Sequence, residues 1–421
     1  MINPEQQLQE NALKANFTEV QQAHFDRLMS ELEVISDGLG FVEIKAKAEA
    51  GSKEALQVLR DYIAKKEQIV IFIETKKIFG EKEINWEGFK ELKDYGTAGS
   101  NARTFKIPSS EMLVVTHDSE SELTTFSVIQ PEDNELYEIT ETDMTFVKDI
   151  IPIGPQEYFS IMDDLTLYYS SWSKKSYSSR WLGKDWDDPL KQLRHRKGVS
   201  ISQDCLVLFG NKMNEVSRLN IADFSGKESV VTEGLEIADV TDAGRLNDSQ
   251  VVFSDLLHQG DVVCVDKSNP KEKKWYSSIS DDGIKASDVK ELIQMVDRLA
   301  CVNEEHVVAM VSWSFLDDIK INGIEEHFGL VLLDAQTGKE VNRIVYDVSN
   351  KFIDILVAPT GEVLTLSKDG VVEIFFIIEN KLVKTSKCVK VGDGASTLSV
   401  MNDGKLVVTY KNGNTKIFGE K

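Results

Sequence analysis

Ser312, His327 and Asp334 are the residues of this chain that come nearest to a serine hydrolase triad. A triad depends on the geometry of three side chains, which closeness along the chain does not supply. The glycine-rich motifs of nucleophile elbows, phosphate-binding loops and dinucleotide sites are missing from the sequence. We therefore predict no catalytic residues and no cofactor.

Histidine and cysteine, the usual zinc ligands, are scattered along the chain. The six histidines show no paired spacing with a cysteine or with a second histidine, so we predict no metal site. Each cysteine lies in or beside an apolar run. We expect four buried, reduced thiols: Cys205, Cys264, Cys301 and Cys388.

Residues 172–198, the basic–aromatic segment, combine eight basic residues with three acidic ones. Aromatic side chains are interleaved with the basic ones, which suits a protein interface or stacking on RNA bases. The structural alternative places Tyr177 and Trp181 in an outer strand and residues 194–197 in a connecting loop. The candidate partner-binding residues are Trp172, Lys174, Lys175, Tyr177, Arg180, Trp181, Lys184, Trp186, Arg194, Arg196 and Lys197.

Residues 111–150, the acidic segment, contain eleven acidic residues and one lysine. This segment could steer a basic partner segment by charge, or it could be a solvated rim. The candidate acidic surface consists of Asp118, Glu120, Glu122, Glu132, Asp133 and Glu135.

The composition of the 421-residue chain is typical of a globular protein, with 41% hydrophobic and 28% charged residues. Its net charge of −22 disfavours nonspecific binding to nucleic acid or to anionic membranes. We find no secretory signal and no apolar run long enough to cross a membrane. We therefore expect a cytoplasmic or nuclear protein without membrane insertion.

The first 66 residues show helical periodicity. Apolar residues recur at steps of three and four over residues 4–36, which predicts a helix that either packs on its own domain or binds a partner. Ser52 is an N-cap candidate for a second helix. Residues 68–73 are compatible with a strand or a helix, and residues 97–100 resemble a linker.

From Arg103 onward the periodicity changes to two, and a strand–turn–strand unit recurs. The first large apolar residues of the second strands are spaced by 45, 48, 45, 56, 56 and 43 residues. Asp-Gly and Asn-Gly turns, such as Asp403-Gly404 and Asn412-Gly413, separate strands of the last unit. The longer steps predict two insertions, one with a helix-like stripe over residues 289–296 and one long loop over residues 314–328. The aligned residues are Leu113, Tyr158, Leu206, Val251, Val307, Val363 and Leu406.

This spacing of short strands is typical of radially stacked small sheets. Over residues 103–421 the chain resembles the β-propeller superfamily that includes WD40-repeat proteins, although the Trp-Asp dipeptide that ends a WD40 blade is missing. We predict a mainly β fold: a seven-bladed β-propeller (residues 101–421) preceded by an N-terminal α-helical module (residues 1–100). Six or eight blades remain alternatives.

The last unit has three strands, whereas the sixth has four. Closing the ring therefore calls for a strand from the N-terminal side, and the candidates are residues 82–89 and 68–73.

The function that we predict is a non-catalytic scaffold or adaptor subunit of a larger complex. Other protein subunits, one of them with a basic segment, would bind the propeller loops and the N-terminal helices. Alternatives are an enzyme or small-ligand binder that uses the central channel, and an RNA-associated propeller. The innermost strands are mainly apolar (for example Val199, Ile355 and Val400), which argues against a channel site.

Overall fold

The chain forms two compact units, Met1–Ile84 and Asn85–Lys421. In the first unit, the computed structural model describes residues 25, 29–30, 32–36, 41–50, 52, 55, 58–59, 62 and 84. In the second it describes residues 86–97, 101–106, 112–118, 120–130, 133–142, 147–154, 157–162, 167–173, 176–181, 193–202, 205–212, 217–223, 230–237, 240–255, 261–279, 291–316, 325–346 and 351–420.

The first unit contains helix α1 (Phe41–Glu49). Ile44 and Ala48, four residues apart, are buried and form its packed stripe. The ring of Phe41 lies 5.4 Å from that of the buried Tyr62, centroid to centroid. Helix α1 was not predicted, because its sequence carries few apolar residues.

A second helical stretch follows Ser52, as predicted. The hydroxyl of Ser52 accepts a hydrogen bond from the backbone N–H of Ala55 at 3.2 Å, which is the N-cap interaction. Residues 32–36 are helical, in agreement with the helix predicted over residues 4–36. Most of that helix lies outside the described residues, as do residues 68–73. No helix among the described residues is long and apolar enough to cross a membrane.

The second unit consists of seven four-stranded antiparallel sheets. Strand β1 is Lys90–Thr97. Blade 1 comprises β2 (Asn101–Lys106), β3 (Met112–Asp118), β4 (Leu123–Ile129) and β5 (Leu136–Thr142). Blade 2 comprises β6 (Val147–Gly154), β7 (Glu157–Met162), β8 (Leu167–Ser173) and β9 (Ser176–Trp181). Blade 3 comprises β10 (Leu193–Ser202), β11 (Cys205–Lys212), β12 (Arg218–Asp223) and β13 (Val230–Glu236).

Blade 4 comprises β14 (Ala243–Arg245), β15 (Gln250–Asp255), β16 (Asp261–Asp266) and β17 (Lys273–Ser277). Blade 5 comprises β18 (Glu291–Cys301), β19 (His306–Leu316), β20 (Glu325–Asp334) and β21 (Glu340–Tyr346). Blade 6 comprises β22 (Phe352–Val357), β23 (Val363–Ser367), β24 (Val371–Ile378) and β25 (Lys381–Lys390). Blade 7 comprises β26 (Ala395–Val400), β27 (Leu406–Tyr410), β28 (Asn414–Gly419) and β1.

The predicted seven-bladed propeller is confirmed. All seven aligned residues lie in the second strand of a blade, from Leu113 in β3 to Leu406 in β27. The first strands of neighbouring blades contact one another, so they form the innermost layer around the axis. Apolar side chains fill the space between blades; Val252 and Cys264 of blade 4, for example, pack in one buried cluster with Trp313 of blade 5. Each blade therefore buries both faces of its sheet.

Blade 5 differs from its prediction. Residues 291–301 form β18, not a helix-like insertion, because they pair along β19 in an antiparallel ladder. The loop predicted over residues 314–328 is shorter, since β19 runs to Leu316 and β20 begins at Glu325. Longer strands in this blade account for part of the longer spacing, a property that turn residues do not reveal. The rest of the first predicted insertion, residues 280–290, lies outside the described residues.

The ring closes through β1, which pairs antiparallel with β28 on the outside of blade 7. Neither predicted segment supplies this strand: residues 86–88 form a short 3-10 helix, and residues 68–73 are outside the described part. The closing strand does come from the N-terminal side. Lys416 of β28 forms ion pairs with Glu91 at 2.8 Å and Asp94 at 3.0 Å. The polar sequence of β1 concealed it, because an outermost strand needs few buried side chains.

The segment before β1 is attached to blade 6. Trp86 is 2% exposed, and its indole N–H donates to the buried carboxylate of Glu362 at 3.3 Å. On the other side, Lys93 pairs with Glu135 of the blade 1 turn at 2.7 Å. Residues 86–97 thus connect blades 6, 7 and 1 across the point of closure.

The cysteines are all free, and the prediction that all four are buried is wrong in part. Cys205 and Cys264 are buried, Cys301 is half-buried and Cys388 is exposed. Cys388 lies on β25, the outermost strand of blade 6, where alternate side chains face solvent.

Candidate functional site

The innermost layer carries one charged residue at an equivalent place in six of the seven blades. In blades 2 to 6 this residue lies opposite the third residue after the aligned apolar position; Asp149, for example, lies opposite Ile161. In blade 1, Arg103 lies opposite Val115, two residues after Leu113. The charges alternate in sign from blade to blade. We call these six residues the axial ring: Arg103, Asp149, Lys197, Asp242, Arg298 and Asp354.

Local strand irregularities position most members of the axial ring. The regular pairing of the first and second strands is interrupted immediately before Asp149, Lys197, Arg298 and Asp354. A β-bulge of this kind bends the strand and re-aims the side chain that follows. Without it, strict alternation would direct residues only to the two faces that pack against neighbouring blades.

The side chains of the axial ring converge on the propeller axis. Electrostatic interactions act between Arg103 and Arg298, which belong to blades 1 and 5. Others link Asp149 with Asp242, in blades 2 and 4, and Lys197 with Arg298, in blades 3 and 5. Since these blades are not neighbours, such interactions require side chains that point inward from the innermost strands.

Each aspartate of the axial ring also binds the backbone of the next blade. Asp242 accepts a hydrogen bond from the N–H of Leu299 at 2.9 Å, and Asp354 accepts one from Leu398 at 2.8 Å. Asp149 accepts the equivalent hydrogen bond from the N–H of Gly198, with a longer distance of 3.4 Å. These contacts join blades 2 and 3, 4 and 5, and 6 and 7.

Attraction between opposite charges links three further pairs of neighbouring blades. Lys197 pairs with Asp242 at 2.9 Å between blades 3 and 4. Arg298 approaches Asp354 at 3.8 Å between blades 5 and 6. Arg103 interacts electrostatically with Asp149 between blades 1 and 2. Every carboxylate of the ring therefore has a positive neighbour on one side and a backbone donor on the other.

Blade 7 interrupts the alternation with an uncharged residue. Thr397 occupies the equivalent place, opposite Thr409 and directly after a register shift. A ring of seven cannot alternate completely, because two like charges would become neighbours. At the junction of blades 7 and 1, the hydroxyls of Thr104 and Ser399 lie 2.7 Å apart.

Burial and neighbouring charges together shift the pKa values of ring residues. Burial raises the pKa of the Asp354 carboxyl to about 6, although the positive charge of Arg298 acts in the opposite direction. Burial also raises the pKa of Asp149. For Lys197, burial alone would lower the pKa, but the charges of Asp149 and Asp242 outweigh it and raise the pKa. The ring thus holds Lys197 firmly protonated, and it holds Asp149 and Asp354 less firmly ionised.

The axial ring corrects the expectation that the innermost strands are mainly apolar. Val199 and Ile355 are buried, but charged residues two and one positions away, Lys197 and Asp354, face the axis. The sequence held a usable signal: in blades 2 to 7 the axial position lies nine residues before the aligned apolar residue. The signal lies in the first strands, so an alignment of the second strands does not reveal it.

The basic–aromatic segment does not form one surface. Tyr177, Arg180 and Trp181 lie in β9, the outermost strand of blade 2, and Trp172 lies in β8 opposite Tyr177. Residues 194–197 are not a connecting loop, because they belong to β10, the innermost strand of blade 3. The two halves of the basic–aromatic segment therefore lie far apart: one is on the outside of blade 2, and the other is next to the axis in blade 3. The remaining candidates lie outside the described residues: Lys174, Lys175, Lys184 and Trp186.

The acidic candidates also separate, into two turns at opposite ends of β4. Asp118, Glu120 and Glu122 lie at the β3–β4 turn, where Asp118 accepts a hydrogen bond from the backbone N–H of Glu120 at 3.0 Å. Asp133 and Glu135 lie at the β4–β5 turn. A seven-residue strand between them spans roughly 23 Å. Glu132 is outside the described residues.

The serine, histidine and aspartate considered for a triad are not assembled. Ser312 and His327 lie on the neighbouring strands β19 and β20. Asp334 ends β20 opposite His306, roughly 23 Å along the strand from His327. Among the described residues, no group of metal-ligating side chains is placed to hold a metal ion.

Comparisons with known proteins agree with the fold. No protein-family model and no curated protein matches the chain. The crystal structure of the Myceliophteria thermophila Cps50 (Swd1) beta-propeller domain is similar over 77% of this chain and 98% of that chain. The TM-score is 0.51 and the sequence identity 8%, so the likeness concerns the fold alone. The expected resemblance is confirmed at that level: the chain carries a seven-bladed β-propeller of WD40-like architecture.

Proposed function

We propose that this chain is a non-catalytic scaffold that binds other protein subunits of an intracellular assembly. The observation that carries this proposal is the axial ring. Its six charges balance and pair with one another or with the backbone, so the protein's own groups occupy the place where a propeller could surround a ligand. Recognition then falls to the outer strands, the turns and the N-terminal unit.

Exposed apolar side chains on outermost strands support this assignment. Val230 of β13 is 59% exposed and Tyr276 of β17 is 60% exposed. Val341 and Val345 of β21 are also exposed. Blades 3, 4 and 5 are consecutive, so these residues follow one sector of the rim.

The test is the state of the protein in its native extract. A tagged chain expressed at its normal level should elute from a size-exclusion column in a complex, with stoichiometric partners identified by cross-linking mass spectrometry. Recovery as a monomer without partners would contradict the proposal. Deleting residues 1–66 should leave the propeller folded and remove one partner; unfolding of the propeller would show instead that these residues are structural.

One observation favours a second candidate function, the binding of a small ligand in the central channel. The side chain of Arg298 remains 44% exposed although it belongs to an innermost strand, and its contact with Asp354 is long at 3.8 Å. Thermal-shift measurements with phosphate and with small carboxylic acids test this candidate. Saturable stabilisation that disappears in Arg298→Gln would favour the channel over the scaffold.

A further inference from the structure

The outer part of blade 4 has a charge opposite to that of the whole chain. The turn between β16 and β17, together with β17, contains four lysines and one glutamate within residues 267–274. Lys271, Lys273 and Lys274 are exposed, and Lys267 is half-buried. None of the four forms an ion pair within the described residues. A net charge of about +3 therefore remains free on a chain of net charge −22.

Strand β17 presents these lysines on a firmly anchored edge. Trp275 is 7% exposed, and its indole N–H donates to the backbone oxygen of Ala335 in blade 5 at 2.8 Å. On the side of blade 3, the N–H of Leu235 donates to the backbone oxygen of Pro270 at 2.9 Å. The strand and its turn are thus fixed to both neighbouring blades, which lowers the entropy lost when a partner binds.

An exposed aromatic ring lies among the lysines. Because side chains alternate along a strand, the buried Trp275 leaves Tyr276 facing solvent, where it is 60% exposed. The ammonium group of Lys273 lies 5.4 Å from the centre of the Tyr276 ring. Tyrosine is enriched in interface hot spots because it combines a large apolar surface with a polar end.

The outer edge of β17 is available for contact. β17 is the last strand of its sheet, and among the described residues no other strand pairs with it. Lysines on edge strands also prevent aggregation, and this role alone would explain their presence. It does not explain the exposed tyrosine, nor lysines that continue into the turn at Pro270.

We propose that this surface, formed by Lys267, Lys271, Lys273, Lys274 and Tyr276, binds an acidic, extended segment of a partner protein. The choice of partner follows from charge complementarity: carboxylates of the segment pair with the lysines, and an apolar side chain of the segment covers Tyr276. The proposal names a partner surface for the scaffold and rests on that proposed function. Binding of this kind weakens with salt.

The experiment measures fluorescence anisotropy of a labelled peptide of about 12 residues, rich in glutamate with one central phenylalanine, titrated with the full chain. We expect saturable binding at low salt. The triple variant Lys271→Glu, Lys273→Glu, Lys274→Glu should weaken it at least tenfold, and Tyr276→Ala should weaken it about fivefold, in keeping with the loss of one aromatic contact. All four positions are exposed, so unchanged circular dichroism and melting should accompany these effects.

The matched control is Lys381→Glu, Lys387→Glu, Lys390→Glu on β25 of blade 6, which makes the same change of net charge on another outermost strand. It should change the peptide affinity less than twofold. Equal weakening by both triple variants would reduce the effect to overall charge and overturn the proposal, as would no binding to the unaltered chain.

Two other occupants are tested in parallel. Tighter binding of single-stranded polyuridine than of the peptide, with the same dependence on the lysines, would assign the surface to nucleic acid. Dimerisation that the triple variant abolishes would assign it to a second copy of the chain. If the peptide fails while the chain still elutes with partners from native extract, this inference falls and the scaffold stands; a chain without partners in extract contradicts the scaffold itself.

Discussion

Replacing Asp354 by asparagine should remove a pH dependence of folding that the axial ring creates. Asp354 lies close to Arg298 and accepts two backbone hydrogen bonds, from Ile355 at 3.0 Å and from Leu398 at 2.8 Å. Burial nevertheless raises its pKa from 3.8 to about 6. The ionised carboxylate is therefore less stable in the folded protein than in the unfolded chain.

The sign of the effect follows from proton linkage. A raised pKa means that the folded state binds the proton more tightly, so this contribution to stability is complete below pH 3.8 and is lost as the pH rises through about 6. The rise of the pKa from 3.8 to about 6 corresponds to about 3 kcal/mol in total, of which about 1.4 kcal/mol develops between pH 7.5 and pH 5. Protonation of Asp354 thus opposes the ordinary acid destabilisation of a protein.

Urea unfolding of wild type and Asp354→Asn at pH 7.5 and pH 5 measures this contribution. The free energy of unfolding of wild type, relative to the variant, should rise by about 1.4 kcal/mol on acidification. The control is Asp369→Asn, an exposed residue in a turn of the same blade, for which the difference should stay constant. The reasoning would be refuted if the free energy of unfolding of wild type, relative to Asp354→Asn, were the same at both pH values or lower at pH 5.

Three further predictions concern the ring and its closure. Lys197→Met leaves Asp242 without the cation of its ion pair and should cost about 2–3 kcal/mol in urea unfolding, most of it regained in Lys197→Met/Asp242→Asn; a fully additive double variant would contradict the pairing. Ending the chain before Thr415 removes most of β28 and with it the partner of β1, so cooperative unfolding and protease resistance should both be lost, and a stably folded truncation would be evidence against closure by β1. Trp86→Phe keeps an aromatic side chain at this position but removes the indole N–H that donates to Glu362. It should lower the free energy of unfolding by about 1–2 kcal/mol, and an unchanged melting temperature would show that this contact does not hold the closing segment.

The blades could be predicted from sequence because their determinants are local. Alternation of apolar and polar residues sets a strand, and glycine at a positive φ sets a turn; Gly404 and Gly413 have φ values of 88° and 82°. Repetition of this unit at nearly constant spacing then requires sheets that bury one another's faces. Blade count and second strands follow from such patterns without knowledge of any long-range contact.

The closing strand and the axial ring were decided by tertiary structure. β1 has no strong strand pattern of its own and becomes a strand because β28 offers it an open edge. The charges of the ring stand 45 to 56 residues apart, and their alternation has a meaning only when ring closure brings them to one axis. The basic–aromatic segment shows the converse, since its neighbours in sequence lie on opposite radial ends of the propeller. Sequence alone determined the repeating unit, because its forces act within a few residues; the site depended on how the units meet.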